Sequence, residues 1–123
     1  MFRVQVTFRD MAISEALEAR CWDEAATLHE RFGGIRSCLV TISSLRPPGA
    51  EEDSFDVGIT VLHSVNSGRV DSEFDVNAND RDVRGALVHG FQLVERRLRR
   101  IMRTDRLKEA GEMNREKNTD QMS

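Results

Sequence analysis

Residues 2–9 read Phe2-Arg3-Val4-Gln5-Val6-Thr7-Phe8-Arg9, and this stretch with the helix after it decides the fold. Apolar and polar side chains alternate, which is the period of a strand with one buried face. A helical period then begins after Ser14, a good N-cap residue, and stops at Gly33-Gly34. Its apolar stripe consists of Leu17, Cys21, Ala25, Leu28 and Phe32. This order predicts a right-handed crossover to a parallel second strand.

Three more alternating runs predict three more strands. The first starts at Ile35 and ends before Pro47-Pro48-Gly49 and an acidic run, which together indicate an exposed loop. The other two are separated by Asn66-Ser67-Gly68, a set of turn residues. Their inward-facing positions are Cys38, Val40 and Ile42, then Phe55, Val57, Ile59 and Val61, then Val70, Ser72, Phe74 and Val76. We expect these three strands to form an antiparallel meander.

A second helix is predicted to start near Asp80 or Asp82. It carries a stripe at steps of three and four, formed by Val83, Leu87, Phe91, Val94, Leu98 and Ile101. Both helices can then cover one face of a four-stranded sheet, which gives an α+β fold of order βαβββα. The apolar period disappears beyond about Arg106. We therefore expect one domain over residues 1–106 and a flexible charged tail over 107–123.

Charge is segregated along the chain, although the net charge is only −3. Residues 1–80 contain seven basic and fourteen acidic side chains, a balance of −7. Residues 81–123 contain eleven basic and seven acidic side chains, a balance of +4. Segregated charge creates a local field that the total conceals, so the second helix indicates a polyanion partner.

Six arginines crowd that helix: Arg96, Arg97, Arg99, Arg100, Arg103 and Arg106. At 100° per residue, most of them fall opposite the apolar stripe, and Arg97 lies on its flank. Guanidinium groups form paired hydrogen bonds to phosphate, which favours RNA binding. The alternative is a solvated helix face, because helix C-termini attract cations without any ligand. Only Glu95 and Asp105 lie nearby to balance the arginines.

The other polar residues do not predict a reaction. His29, His63 and His89 lie in three different elements without metal-ligand spacing, and no nucleophile or phosphate-loop motif is present. We expect no metal, no cofactor and no small-molecule substrate. Cys21 and Cys38 are predicted to be buried thiols in a reducing cytoplasm, and no apolar run has the length of a membrane span.

Three surface features leave alternatives open. Asp71, Glu73 and Asp75 share the outer side of the last strand, where they form either a charged edge that resists aggregation or a divalent-cation site. Trp22 is expected to be partly exposed, either to stack on a base or to cover the sheet margin. Leu39 and Leu62 mark an open sheet face that is either ordinary surface or a small dimer contact.

Residues 3–104 resemble the ribosome hibernation promoting factor family, which includes short ribosome-associated translation inhibitors. The stretches that carry the resemblance are Val4 to Met11, Ser14-Glu15-Ala16-Leu17, Leu28 to Phe32 leading to Ile35, and Asp82-Val83 with Ala86-Leu87. The resemblance implies the βαβββα fold, similar to a double-stranded-RNA-binding domain. It also implies binding in the decoding region of the small ribosomal subunit during stress, without catalysis. The chain is similar to the short class, so a monomer or weak homodimer is expected.

Family members contact rRNA through basic residues on both helices. By this resemblance the second helix supplies Arg84, Arg96, Arg97, Arg99, Arg100 and Arg103, and the first supplies Arg20 and Arg31. The first helix otherwise departs from the pattern, because Glu24 and Thr27 stand where lysines are common, with Asp23 and Glu30 adding acid. The alternative function is therefore a protein-interaction or regulatory module without tight ribosome binding.

Overall fold

The computed structural model describes residues 2–46, Gly49, 51–65 and 70–122, with the side chains of Val65, Val70 and 105–122 left aside. Two helices and four strands follow in the order βαβββα. Their bounds are β1 Arg3–Arg9, α1 Glu15–Phe32, β2 Ile35–Leu45, β3 Ser54–Val65, β4 Val70–Asp80 and α2 Val83–Met122. The predicted α+β fold and its element order are confirmed.

The four strands form one mixed sheet in the order β1-β2-β3-β4. β1 pairs with β2 in parallel, whereas β2, β3 and β4 are antiparallel neighbours. The parallel pair and the meander are as predicted, since α1 carries the chain back between the two parallel strands. The predicted loop residues Pro47 and Pro48 and the turn Asn66-Ser67-Gly68 lie outside the described residues.

Local caps set both ends of α1. The Ser14 hydroxyl accepts a hydrogen bond from the Leu17 amide at 3.3 Å, which satisfies one of the free N–H groups at the helix start. At the other end Gly33 has a φ of 68° and donates to the His29 carbonyl at 2.8 Å. Gly34 also has a positive φ and lies so close to β3 that a Cβ would meet the Ser64 carbonyl at 3.0 Å. The glycine pair therefore ends the helix and lets the chain enter β2.

The core lies between one face of the sheet and the two helices. α1 packs on β1 and β2, and α2 packs on β3 and β4. Leu87, Phe91, Val94 and Leu98 of the predicted α2 stripe are buried, and Val83 and Ile101 pack against them. Gly90 allows the close contact with β3, because a Cβ at this position would lie 3.0 Å from Ile59 Cδ1.

α2 starts where the sequence predicted and ends later. Asp82 Oδ2 accepts a hydrogen bond from the Gly85 amide at 3.1 Å, which caps the helix start. The helix bounds reach Met122, whereas the loss of apolar periodicity beyond about Arg106 predicts a flexible tail over 107–123. Residues 107–122 include many good helix formers, so backbone preference favours a continued helix. The domain boundary and the mobility of 107–123 stay predictions. Neither α1 nor α2, over the residues described, is long and apolar enough to cross a membrane.

The predictions for Cys21, Cys38 and Trp22 are also confirmed, and His63 is found in the core. Cys21 and Cys38 are buried in the core, and burial raises the pKa of each thiol to about 12. Trp22 is 45% exposed, and its ring centroid lies 6.4 Å from that of Phe2, so it covers the β1 margin of the sheet. His63 is fully buried and meets the Phe74 ring edge-on, with centroids 5.6 Å apart.

Candidate nucleic-acid interface

The buried stripe of α2 fixes the rotation of the helix and turns its arginines outward. Leu98 is 0% exposed, and the residues on the opposite side of the helix are in solvent. We call the exposed set the arginine surface; it consists of Arg96, Arg97, Arg99, Arg100 and Arg103. The side chain of Arg106 lies outside the described residues. Because all five guanidiniums emerge within about two turns, they form one positively charged patch.

Glu95 lies at the boundary between the arginine surface and α1. Its carboxylate Oε1 accepts hydrogen bonds from Arg99 at 3.0 Å and from Arg31, which reaches across from the end of α1. Arg31 also places its guanidinium carbon 5.5 Å from the centroid of the Phe32 ring. One carboxylate therefore joins a predicted site residue on each helix and partly neutralises both.

The remaining arginines differ in how they are held. Arg97 leans toward the sheet, and its guanidinium carbon lies 5.6 Å from the Phe74 ring centroid, a cation–π contact. Among the side chains that the structure describes, Arg96, Arg100 and Arg103 have no acidic partner within ion-pair distance. These three are the charges best placed to contact an external anion.

A cleft of about 510 Å³ lies between the N-terminal halves of the two helices. Arg20 and Arg84 stand at this cleft, whose other lining residues are Ser14, Ala16, Leu17, Val83, Leu87 and Val88. Arg20 forms an ion pair with Glu24 at 3.1 Å on its own helix. The eight predicted binding residues thus fall into two groups: five on the arginine surface with Arg31 beside them, and two at the cleft.

The exposed side of α1 is acidic, as the sequence indicated. Asp23 and Glu30 are exposed, and Glu24 is half-buried against Arg20. Thr27 donates its hydroxyl hydrogen to the Asp23 carbonyl at 2.9 Å and so adds no charge. A polyanion that follows the arginine surface therefore meets repulsion where it approaches α1.

The last strand, β4, is a charged edge of the sheet, with an acidic row formed by Asp71, Glu73 and Asp75. Asp71 accepts hydrogen bonds from Arg36 at 2.8 Å and from Ser64 at 3.1 Å, and the Arg36 contact holds the pKa of its carboxyl below the usual range. Asp75 accepts a hydrogen bond from Thr60 at 2.7 Å. Within the described ranges, no three His, Cys, Asp or Glu side chains are grouped as metal ligands would be.

Two features of the site were not predicted from the sequence. One is the sharing of Glu95 between Arg31 and Arg99, which are far apart in the chain. The other is the contact of Arg97 with Phe74, which belongs to β4. Both depend on how α2 crosses the other elements, and no local sequence pattern encodes that crossing.

Comparison with known proteins gives fold relatives only. No family model and no curated protein sequence matches the chain. The N-terminal domain of Thermus thermophilus Protein Y superposes with a TM-score of 0.64 and 19% identity, over 82% of this chain and 99% of that one. A ribosomal subunit interface protein from Coxiella burnetii gives a TM-score of 0.59 and 15% identity, over 82% and 98%. This chain therefore has the same fold as these two proteins.

Proposed function

We propose that this chain is a non-enzymatic, ribosome-associated factor of the cytoplasm. In this proposal the arginine surface binds rRNA of the small subunit near the decoding region, and occupation of that region inhibits translation during hibernation or stress. The observation that carries the proposal is the concentration of five exposed arginines within about two turns of α2, in a chain that is acidic overall.

The physical argument is that this surface exceeds what the helix itself requires. A helix dipole attracts cations only near the last turn, where each is worth about 0.3–1 kcal/mol, whereas α2 continues to Met122 and places the arginine surface well before its end. The arginine surface instead holds three arginines with no acidic partner among the described residues, Arg96, Arg100 and Arg103. A surface of this kind gains free energy by releasing counterions from a polyanion.

The shared fold and the sequence resemblance support a ribosomal identity for the polyanion. One structural relative is described as a ribosomal subunit interface protein. The stretches Val4 to Met11 and Asp82-Val83 resemble the hibernation factor family, whose members bind the small subunit. Together these observations support the ribosome as the partner over a generic nucleic acid.

The first experiment is cosedimentation of the purified chain with small ribosomal subunits over a salt series. We expect binding that falls steeply with salt, and loss of binding in the triple variant Arg96→Glu/Arg99→Glu/Arg100→Glu. A matched control, Arg9→Glu/Arg46→Glu/Arg81→Glu, makes the same change of charge at exposed positions away from the arginine surface. Normal pelleting of the first triple variant would show that the arginine surface is not the binding site.

Translation inhibition is tested separately, in a reconstituted translation reaction with the same two triple variants. We expect the chain and the control variant to reduce protein synthesis, and the arginine-surface variant to have no effect. Binding without inhibition would place the contact outside the decoding region and reject that part of the proposal.

The acidic side of α1 favours a second candidate, a protein-interaction module that binds a basic partner. The substitution Glu24→Lys separates the two functions. If the chain binds rRNA, the added lysine strengthens cosedimentation because it removes a repulsive charge beside the Arg20 position. If α1 instead recognises a basic protein, the same substitution weakens that complex, and neither the wild-type chain nor the variant binds the small subunit.

A further inference from the structure

The face of the sheet opposite the helices carries opposite charges on its two edges. β1 presents Arg3 and Arg9 on this side, and both are exposed. β4 presents Asp71, Glu73 and Asp75, which are also exposed. The central strands between them present small polar residues, three leucines at positions 39, 45 and 62, and Asp56; Leu39 is 41% exposed, and Arg36 of β2 is paired with Asp71. The face is therefore basic at its β1 edge and acidic at its β4 edge.

The strand register places the key charges at one level of the sheet. Arg3 pairs with Ser37, Ser37 pairs with Leu62, and Leu62 pairs with Glu73, so the four residues form a row across the sheet. The next outward-facing row contains Leu39 between Gln5 and Thr60. Arg3 and Glu73 thus stand at opposite ends of one row, and Leu62 lies diagonal to Leu39 in the middle.

Glu73 and Arg3 are available for an outside partner. Asp71 is held by Arg36 and Ser64, and Asp75 by Thr60. Neither Arg3 nor Glu73 forms an ion pair with any described side chain. A complementary partner needs an acidic group opposite β1 and a basic group opposite β4.

We infer that this open sheet face binds a second copy of the chain. Two sheets stacked face to face, about 10 Å apart, and related by a two-fold axis parallel to the strands bring β1 of each copy over β4 of the other. Arg3 then meets Glu73 of the second copy, and this contact occurs twice. β2 lies over β3 in the same arrangement, so Leu39 and Leu62 of the two copies form the centre.

The size of the face sets the strength of the dimer. Four strands spaced about 4.8 Å apart and about seven residues long, at about 3.3 Å each, give a footprint of about 440 Å² per copy. A stable interface takes about 800 Å² from each partner. The dimer is therefore weak and depends on protein concentration, and its charge pairs control the pairing more than its area does.

Sedimentation velocity of the full chain, from low micromolar to millimolar concentration, tests the inference. We expect reversible dimerisation, weakened at least about tenfold by Arg3→Glu and by Glu73→Arg alone. The double variant Arg3→Glu/Glu73→Arg exchanges the two charges and is expected to restore the dimer. Matched controls on the helix side, Arg96→Glu and Glu30→Arg, make the same charge changes and are expected to leave dimerisation unaltered.

Three results would overturn the inference: a monomer at every concentration, equal weakening by the helix-side controls, or failure of the double variant to dimerise while its thermal unfolding is normal. This inference does not depend on the proposed function. The arginine surface lies on the helix side of the molecule, so ribosome binding and dimerisation are lost in different variants.

Discussion

Replacing Glu95 with glutamine is expected to strengthen RNA binding, because this carboxylate neutralises two of the candidate binding arginines. In the folded chain Glu95 contacts Arg31 and Arg99, whose side chains are 48% and 61% exposed. The substitution Glu95→Gln releases both guanidiniums and removes one negative charge beside the arginine surface. Each cation that neutralises a phosphate changes the slope of log affinity against log salt by about −0.7 to −0.9. Two released cations therefore steepen the slope by up to about 1.4 to 1.8.

Stability should change little in the same variant. Exposed ion pairs contribute only about 0.2–1 kcal/mol each, so losing the two pairs of Glu95 costs little. The buried packing of Leu98 and Val94 holds α2 in place without Glu95. Any gain in affinity can then be assigned to the released arginines and not to a rearranged fold.

The assay is a binding titration with small ribosomal subunits at several salt concentrations, with wild type, Glu95→Gln and Glu51→Gln in parallel. Glu51 is exposed in the segment between β2 and β3, so its substitution makes the same charge change away from both helices. We expect Glu95→Gln to bind more tightly at low salt and with a steeper slope than the control. Weaker binding by Glu95→Gln would refute the reasoning, since it would mean that Glu95 orients Arg31 and Arg99 for RNA.

Three further outcomes are expected. Leu98→Ala removes a fully buried side chain and should lower the free energy of unfolding by about 2–5 kcal/mol, measured by urea titration; a smaller loss would contradict its central place under the arginine surface. Burial lowers the pKa of the His63 imidazole, although Asp71 opposes the shift, so the unfolded chain binds this proton more readily. The contribution of His63 to the free energy of unfolding is therefore fully present at pH values above the ordinary histidine pKa, and it is lost as the pH falls, by up to about 1.4 kcal/mol per pH unit. We expect His63→Leu to reduce the difference in stability between about pH 5 and about pH 8. An unchanged difference would contradict this prediction. Finally, Cys21 and Cys38 should react with a thiol reagent only on unfolding, because burial holds both in the protonated form; fast reaction of the native chain would argue against the packing of α1 on β2.

The sequence predicted most of the fold because each element has a clear period. The alternation in residues 2–9 and the step of three and four from Val83 to Ile101 leave little choice of structure. The apolar period ends near Arg106 whereas α2 continues to Met122, because periodicity reports burial and not backbone preference. A backbone preference for helix is spread over many residues and gives no sharp boundary.

The candidate site was predicted less completely. Exposure of the arginines followed from helix geometry alone, but the ion pairs of Glu95 depend on the distance between two helices. In the same way, the row that joins Arg3 to Glu73 requires the register of three strand pairs. Hydrophobic patterns identify which side of a strand is buried, but they do not give its register with the neighbouring strands. The register also depends on turn geometry and on packing. The assignment of rRNA contacts to all eight arginines stays a prediction.

The position of β1 at the edge of the sheet also has a consequence for biosynthesis. Among the described strands β1 pairs only with β2, so residues 3–9 have no partner strand until Leu45 has been synthesised. During that interval Phe2, Val4, Val6 and Phe8 are exposed to other nascent chains. The polar residues between them, with arginines at positions 3 and 9, reduce aggregation of the unpaired strand. The alternation that determines which side of β1 is buried in the folded chain thus also limits aggregation before β2 has been synthesised.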